Sequence, residues 1–180
     1  MNKSKLDLRS VILTALMTAL ICLTSLITVP VFTVPITLQT FGIYSVLFIL
    51  GGKRGSIATL LYILIGALGL PVFSGFSGGI GRLFDAAGGF IFGFLLSSLL
   101  FWMLTRLMPK RKFYLIFSAM ISLFLLYFVG SLWYSLVYLG APDELFNMLL
   151  LCFTVFLIAD SVKITLAYII ALRLSRIIKI

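Results

Sequence analysis

The chain has 180 residues, of which 62 % are apolar and 11 % charged, with 14 Lys plus Arg, 5 Asp plus Glu and no His. Soluble domains carry about 45–50 % apolar and about 25 % charged residues, and a chain this small has too little interior to hide the excess from water. That argues against a soluble enzyme, a disordered tail or a nucleic-acid-binding module. The absence of His also removes the commonest metal ligand and general base. Cys22 and Cys152 stand alone in apolar runs, without metal-ligand spacing, and read as small buried hydrophobes.

The net charge of +9 suggests nucleic acid only until the charges are placed along the chain. Basic residues cluster at Lys3, Lys5 and Arg9, at Lys53 and Arg54, at Arg106 and Lys110 to Lys112, and at Arg173, Arg176 and Lys179. Positive residues flanking membrane segments favour the cytoplasmic side. With all four clusters there, the intervening stretches of 43, 51 and 60 residues must each leave and return. One crossing takes about 20 residues, so each stretch holds two. The expectation is an all-α polytopic membrane protein, one unit over residues 1–180, with six helices and both termini cytoplasmic.

In chain order, the spacing predicts helices over 9–29, 38–52, 54–70, 86–108, 113–139 and 144–176. Breakers mark the outer loops: Pro30 and Pro35, then Pro71 with Gly75, Gly78, Gly79, Gly81, Gly88 and Gly89, then Gly140 and Pro142. The second helix is short for a span and either tilts little or begins inside the bundle. A cleaved signal peptide is the rival reading of residues 1–29. The long apolar run and the lack of a clear A-x-A site favour a retained helix. The first helix also carries small residues at fourfold spacing, Ser10, Thr14, Thr18 and Cys22, with Ala15 and Ala19 beside them, a pattern that lets helices approach closely.

Asp160 and Lys163 are the most informative pair. They interrupt the apolar run LCFTVFLIADSVKITLAYII, and residues three apart share a helix face. An ionisable group at membrane depth costs about 2.5–3.5 kcal/mol on insertion scales and usually marks a site or a pathway. The plainer readings are a structural ion pair, or a pair near the outer interface that reaches water. In the segment GLPVFSGFSGGIGRLFDAAGGF, glycine backbones can approach a ligand closely, but the Lys and Ser or Thr of a phosphate loop are missing, and Arg82 and Asp85 can simply pair with each other. Thr37, Gln39 and Thr40 lie in TVPITLQTFG, which suits a lid or an ordinary connector. Trp133, Tyr134 and Tyr138 read either as packing for a ring-shaped ligand or as interfacial aromatics. There is no Walker A motif, triad or metal cluster, so any uphill movement of a solute needs energy from elsewhere.

The run PITLQTFG, the glycines at Gly52 and Gly55, then YILIGALGLPVFSGFSGG, GGFIFGF and LIADSVKI occur in order through most of residues 10–175. Together they resemble the BioY family, biotin-binding S components of energy-coupling factor (ECF) transporters. The resemblance implies a six-helix protein of the prokaryotic plasma membrane that binds biotin near the outer face. It implies as partners a transmembrane coupling protein and two ATP-binding-cassette ATPases. No cofactor or metal is implied beyond biotin as the transported ligand. It places ligand-binding roles on Asp160, Lys163, Thr37 and Gln39 and on the loop from Gly75 through Gly79 to Gly81, and the candidates from the residues themselves add Arg82, Trp133 and Tyr138. Ala15 and Ala19 match a stripe facing the coupling protein. Asp85, Ala86 and Ala87 depart from the family's usual Gly-Pro-Thr. Three other readings stay open: an S component for thiamine or riboflavin, an intramembrane enzyme using Asp160, and a structural membrane subunit. Against the enzyme stands the lack of a second catalytic group.

Overall fold

Apolar runs free of proline form helices here, and the chain turns where glycine or proline interrupts them. The computed structural model describes residues 8–29, 35–109 and 112–177; Lys3, Lys5, Pro30, Lys110, Arg111 and Lys179 lie outside them. Helix α1 (Leu8–Leu26) leads into a short antiparallel hairpin of β1 (Thr28–Val29) and β2 (Ile36–Thr37). Helices α2 (Gln39–Leu50) and α3 (Gly52–Ala67) follow, then a glycine-rich loop with a 3-10 turn at Ile80–Phe84. Helix α4 (Gly88–Leu107) precedes α5 (Lys112–Leu132), which runs on as a π-helical segment, Trp133–Leu139. Helix α6 (Glu144–Leu151), a second π-helical segment (Cys152–Phe156) and α7 (Leu157–Ile177) form one continuous rod. Six helical rods result among the described residues.

Packing largely follows chain order. Helix α4 lies along α5, α3 against α4, and α1 against both α2 and α3, while α2 and α7, far apart in sequence, pack together. Small residues permit the close contacts. A side chain at Gly93 would strike Leu126 of α5, one at Gly130 the ring of Phe90, and one at Gly42 the Thr24 hydroxyl of α1. Helix α2 is enclosed on nearly every side: Ile43, Tyr44, Val46 and Leu47 are fully or almost fully buried. An apolar stretch with no polar face belongs inside a bundle. At 12 residues α2 is also only about 18 Å long, well short of the roughly 30 Å of a bilayer's hydrocarbon core.

Among the described residues, four rods are long and apolar enough to cross a membrane: α1, α4, α5 with its π extension, and the α6–α7 rod. Their outward faces carry exposed Leu16, Leu23, Leu99, Phe128, Val162 and Ile169, a surface suited to lipid hydrocarbon rather than water.

Three pairings align the rods. Thr18 of α1 reaches the Ala58 carbonyl, Phe48 of α2 packs edge-on to Tyr168 of α7, and Gly52 abuts Trp102 of α4. They place Arg9, Lys53, Arg54, Arg106, Lys112 and Arg173 together at one end of the bundle.

The observed elements differ from the sequence expectation at several turns. The third helix starts at Gly52, not residue 54, and the fourth starts at Gly88, not residue 86. Gly51 alone joins α2 to α3, with φ +79° and ψ 164°, a conformation open essentially only to glycine. The hairpin after α1 and the two π-helical segments had no counterpart in the reading of the sequence.

Candidate functional site

At the end of the bundle away from the basic residues, β2, the first turn of α2 and parts of α3, α4, α5 and α7 surround a cavity. It has about 600 Å³ of atom-free space, mouth included. Phe73, Phe90, Ile91, Phe94, Leu126 and Phe156 form apolar walls, and Thr37, Gln39, Thr40, Tyr127, Asp160 and Lys163 supply polar groups. Apolar walls with a few placed polar groups are the usual make-up of a small-molecule site.

Asp160 organises the polar side. Its Oδ1 accepts from Lys163 Nζ at 2.7 Å, and its Oδ2 accepts from Thr40 Oγ1 at 3.0 Å and from Tyr127 OH at 2.9 Å. Lys163 Nζ also donates to the Thr37 carbonyl at 2.8 Å. The residue Asp160 is only 7 % exposed. A buried carboxylate is tolerable because it is paired and hydrogen-bonded on both oxygens, and the first turn of α2 beside it contributes the positive end of a helix dipole. Lys163 has three N–H donors, of which two serve the protein among the described residues.

The α6–α7 rod presents this pair through its spacing. Met148, Cys152, Phe156, Asp160 and Ile164 are buried at strict intervals of four. In a plain α-helix each such step drifts by about 40° around the axis. The wider π-helical turn at Cys152–Phe156 offsets part of that drift, so that Met148 near the start and Asp160 further along both face inward. Because α2 begins inside the bundle, its first residues are buried as well: Gln39 is 4 % exposed and Thr40 3 %.

Two buried polar atoms on cavity-lining residues lack partners among the described residues, Gln39 Nε2 and Tyr62 OH. Ser25 lies near the Tyr62 hydroxyl but outside hydrogen-bond geometry, and its own hydroxyl bonds to the carbonyls of Cys22 and Val72. Buried polar groups without partners are uncommon and costly. Gln39 Nε2, beside Thr37 and Thr40, is placed to donate to a ligand.

The residues singled out from the sequence divide into two groups. Asp160, Lys163, Thr37 and Gln39 meet at the cavity, whereas Gly75, Gly79, Gly81, Arg82, Trp133 and Tyr138 do not line it. Gly75 and Gly79 adopt positive φ in the loop above, and there Ser74 and Phe73 are the lining residues. Arg82 pairs with Asp85. Trp133 packs on Phe84 and Phe92, and Tyr138 stacks on Tyr134 with 44 % of its surface exposed. Ala15 and Ala19 line a shallow apolar groove between α1 and α3, with Leu61 and Ile65 opposite. Tyr127 was not among the expected residues. Its one signal is a phenol in an apolar run, since a buried Tyr hydroxyl usually finds a partner. Among the described residues, no group of three His, Cys, Asp or Glu could hold a metal ion.

Comparison with known proteins gives concordant results. The chain is 32 % identical over 170 residues to "Biotin transporter BioY" of Thermotoga maritima, covering 94 % of this chain and 98 % of that one. It is 35 % identical over 168 residues to "Probable biotin transporter BioY" of Pyrococcus horikoshii, covering 93 % and 96 %. A crystal structure at 2.1 Å of the S-component for biotin from an ECF-type ABC transporter superposes with a TM-score of 0.85 at 25 % identity, covering 98 % of this chain and 95 % of that chain. The BioY family model matches residues 1–180, and the chain belongs to the BioY family.

Proposed function

We propose that the chain is the biotin-binding membrane component of an ECF-type transporter. The observation that carries this reading is the Asp160–Lys163 pair, held by Thr40 and Tyr127 against a cavity with apolar walls. Biotin offers an apolar bicyclic ring system for the phenylalanine walls, ureido N–H groups for a carboxylate, and ureido and carboxylate oxygens for an ammonium. The Gln39 amide supplies a further donor.

In this reading the basic end of the bundle faces the cytoplasm of a prokaryotic cell and the cavity opens outward, in keeping with the placement of positive residues. The chain has no Walker A motif, so ATP is hydrolysed by partner ATPases joined through a transmembrane coupling protein. The groove at Ala15 and Ala19 suits that protein, because small side chains admit a closely packed helix. With biotin enclosed beneath the outer loops, the protein reorients within its complex to release it inward.

Mass spectrometry of small molecules released from the detergent-purified protein tests the ligand. Biotin is the expected species, and competition by a panel of vitamins should find biotin strongest. Recovery of thiamine or riboflavin instead, or stronger competition by either, would contradict the assignment.

A further inference from the structure

The loop between α3 and α4 contributes to the cavity at both of its ends, Phe73 and Ser74 on one side and Ala87 on the other. Between them sits an ion pair that does not line the cavity. Arg82 bonds through its guanidinium to Asp85 Oδ2, and its Nε donates to Ser77 Oγ at 3.0 Å. Ser77 Oγ in turn donates to the Ser74 carbonyl at 2.8 Å. On the other side, Asp85 Oδ1 accepts from the Ala86 backbone N–H at 2.8 Å, and the Asp85 carbonyl accepts from Gly88 N–H at 2.9 Å and from Trp133 Nε1 at 3.2 Å.

A continuous chain of polar contacts therefore runs from Ser74 through Ser77, Arg82 and Asp85 to Ala86 and Gly88, the residues on either side of Ala87 at the start of α4. The Trp133 bond also ties it to the π-helical end of α5. We propose that Arg82 and Asp85 are positioning residues. Together they clamp the two loop walls of the cavity at a fixed separation and slow the escape of the ligand, without touching it. Gly79 serves the same arrangement: at φ +95° it turns the chain so that its N–H meets the Gly66 carbonyl at 2.7 Å, anchoring the loop to the end of α3.

The pair is partly open to water, with side chains 36 % and 35 % exposed, so the effect is modest. The inference rests on the biotin reading for its ligand, and the test separates the two. Association and dissociation of biotin are measured for the unaltered protein and for Arg82→Gln, Asp85→Asn, Asp85→Glu and the R82Q/D85N double variant. Hydrogen–deuterium exchange is followed over residues 77–88 without ligand. Each charge-removing variant should speed dissociation about twofold to fivefold at unchanged association. The double variant should be no faster than the faster single, and Asp85→Glu should stay near the unaltered rate. Exchange at Ala86 and Gly88 should rise in both single variants. Additive effects in the double variant, or an effect of Arg82→Gln with none from Asp85→Asn, would overturn the clamp and place Arg82 on the ligand. Exchange needs no biotin, so failure of the unaltered protein to bind biotin would count against the biotin reading alone. Unchanged exchange in both single variants would count against the clamp.

Discussion

Asp160 receives three side-chain donors from three different stretches of chain, α2, α5 and its own helix. Only the last was legible in the sequence, where a spacing of three places Lys163 on the same helix face. The Thr40 and Tyr127 bonds bridge 120 and 33 positions, and no local pattern encodes them. Tyr127→Phe keeps the ring and its edge-on contact with Phe153 but removes one donor to the carboxylate. Biotin binding should weaken by about 1–3 kcal/mol, less if water reaches Asp160 in its place. An equilibrium titration comparing the variant with the unaltered protein checks this. Equal affinity would mean that Asp160 does not depend on the phenol for its orientation.

The elements were legible where composition alone decides them. Long apolar runs bounded by Pro and Gly became α1, α4, α5 and the α6–α7 rod, with boundaries shifted by a residue or a few. The finer features were not legible for identifiable reasons. A π-helical turn differs from an α-helical one by a single hydrogen-bond step, and LCFTVF carries no breaker to announce it. The β1–β2 hairpin has only two residues per strand, too few for an alternating pattern. The shortness of helix α2 left two readings, little tilt or a start inside the bundle, and its enclosure by α1, α3 and α7 is a property of their packing that the sequence does not carry. At the α2–α3 junction the glycine is a firm requirement. Gly51→Ala should cost about 1–3 kcal/mol, since its φ of +79° with ψ 164° is nearly closed to other residues. The loss should appear as a lower melting temperature in detergent. There is open space around Gly51, so an unchanged melting temperature would show that the turn can relax into another conformation.

For the whole molecule, the charge pattern was the most informative signal. Four basic clusters, placed on one side by the positive-inside rule, implied three hairpins, and the described members of those clusters do gather at one end. The site was legible only in part. Gly75, Gly79, Gly81, Arg82, Trp133 and Tyr138 lie outside the cavity, because glycine spacing and aromatic content report loops and packing as readily as contact with a ligand. Orientation in the membrane is open to direct measurement. In a background lacking Cys22 and Cys152, a cysteine at Phe76, exposed on the glycine-rich loop, should react with a membrane-impermeant maleimide added to intact cells. One at Leu107, exposed at the basic end, should react only after the cells are opened. The reverse result would invert the topology.

In the proposed function, Asp160 and Lys163 recognise biotin directly. Removing either partner also strands the other in a buried site, so both losses should be large. Calorimetric titration of biotin into the purified unaltered protein, Asp160→Ala and Lys163→Ala tests the claim most directly. Tight binding by the unaltered protein and a loss of at least about 1–3 kcal/mol in each variant is the predicted result. Unaltered affinity in both variants, each folded as judged by its melting profile, would contradict it.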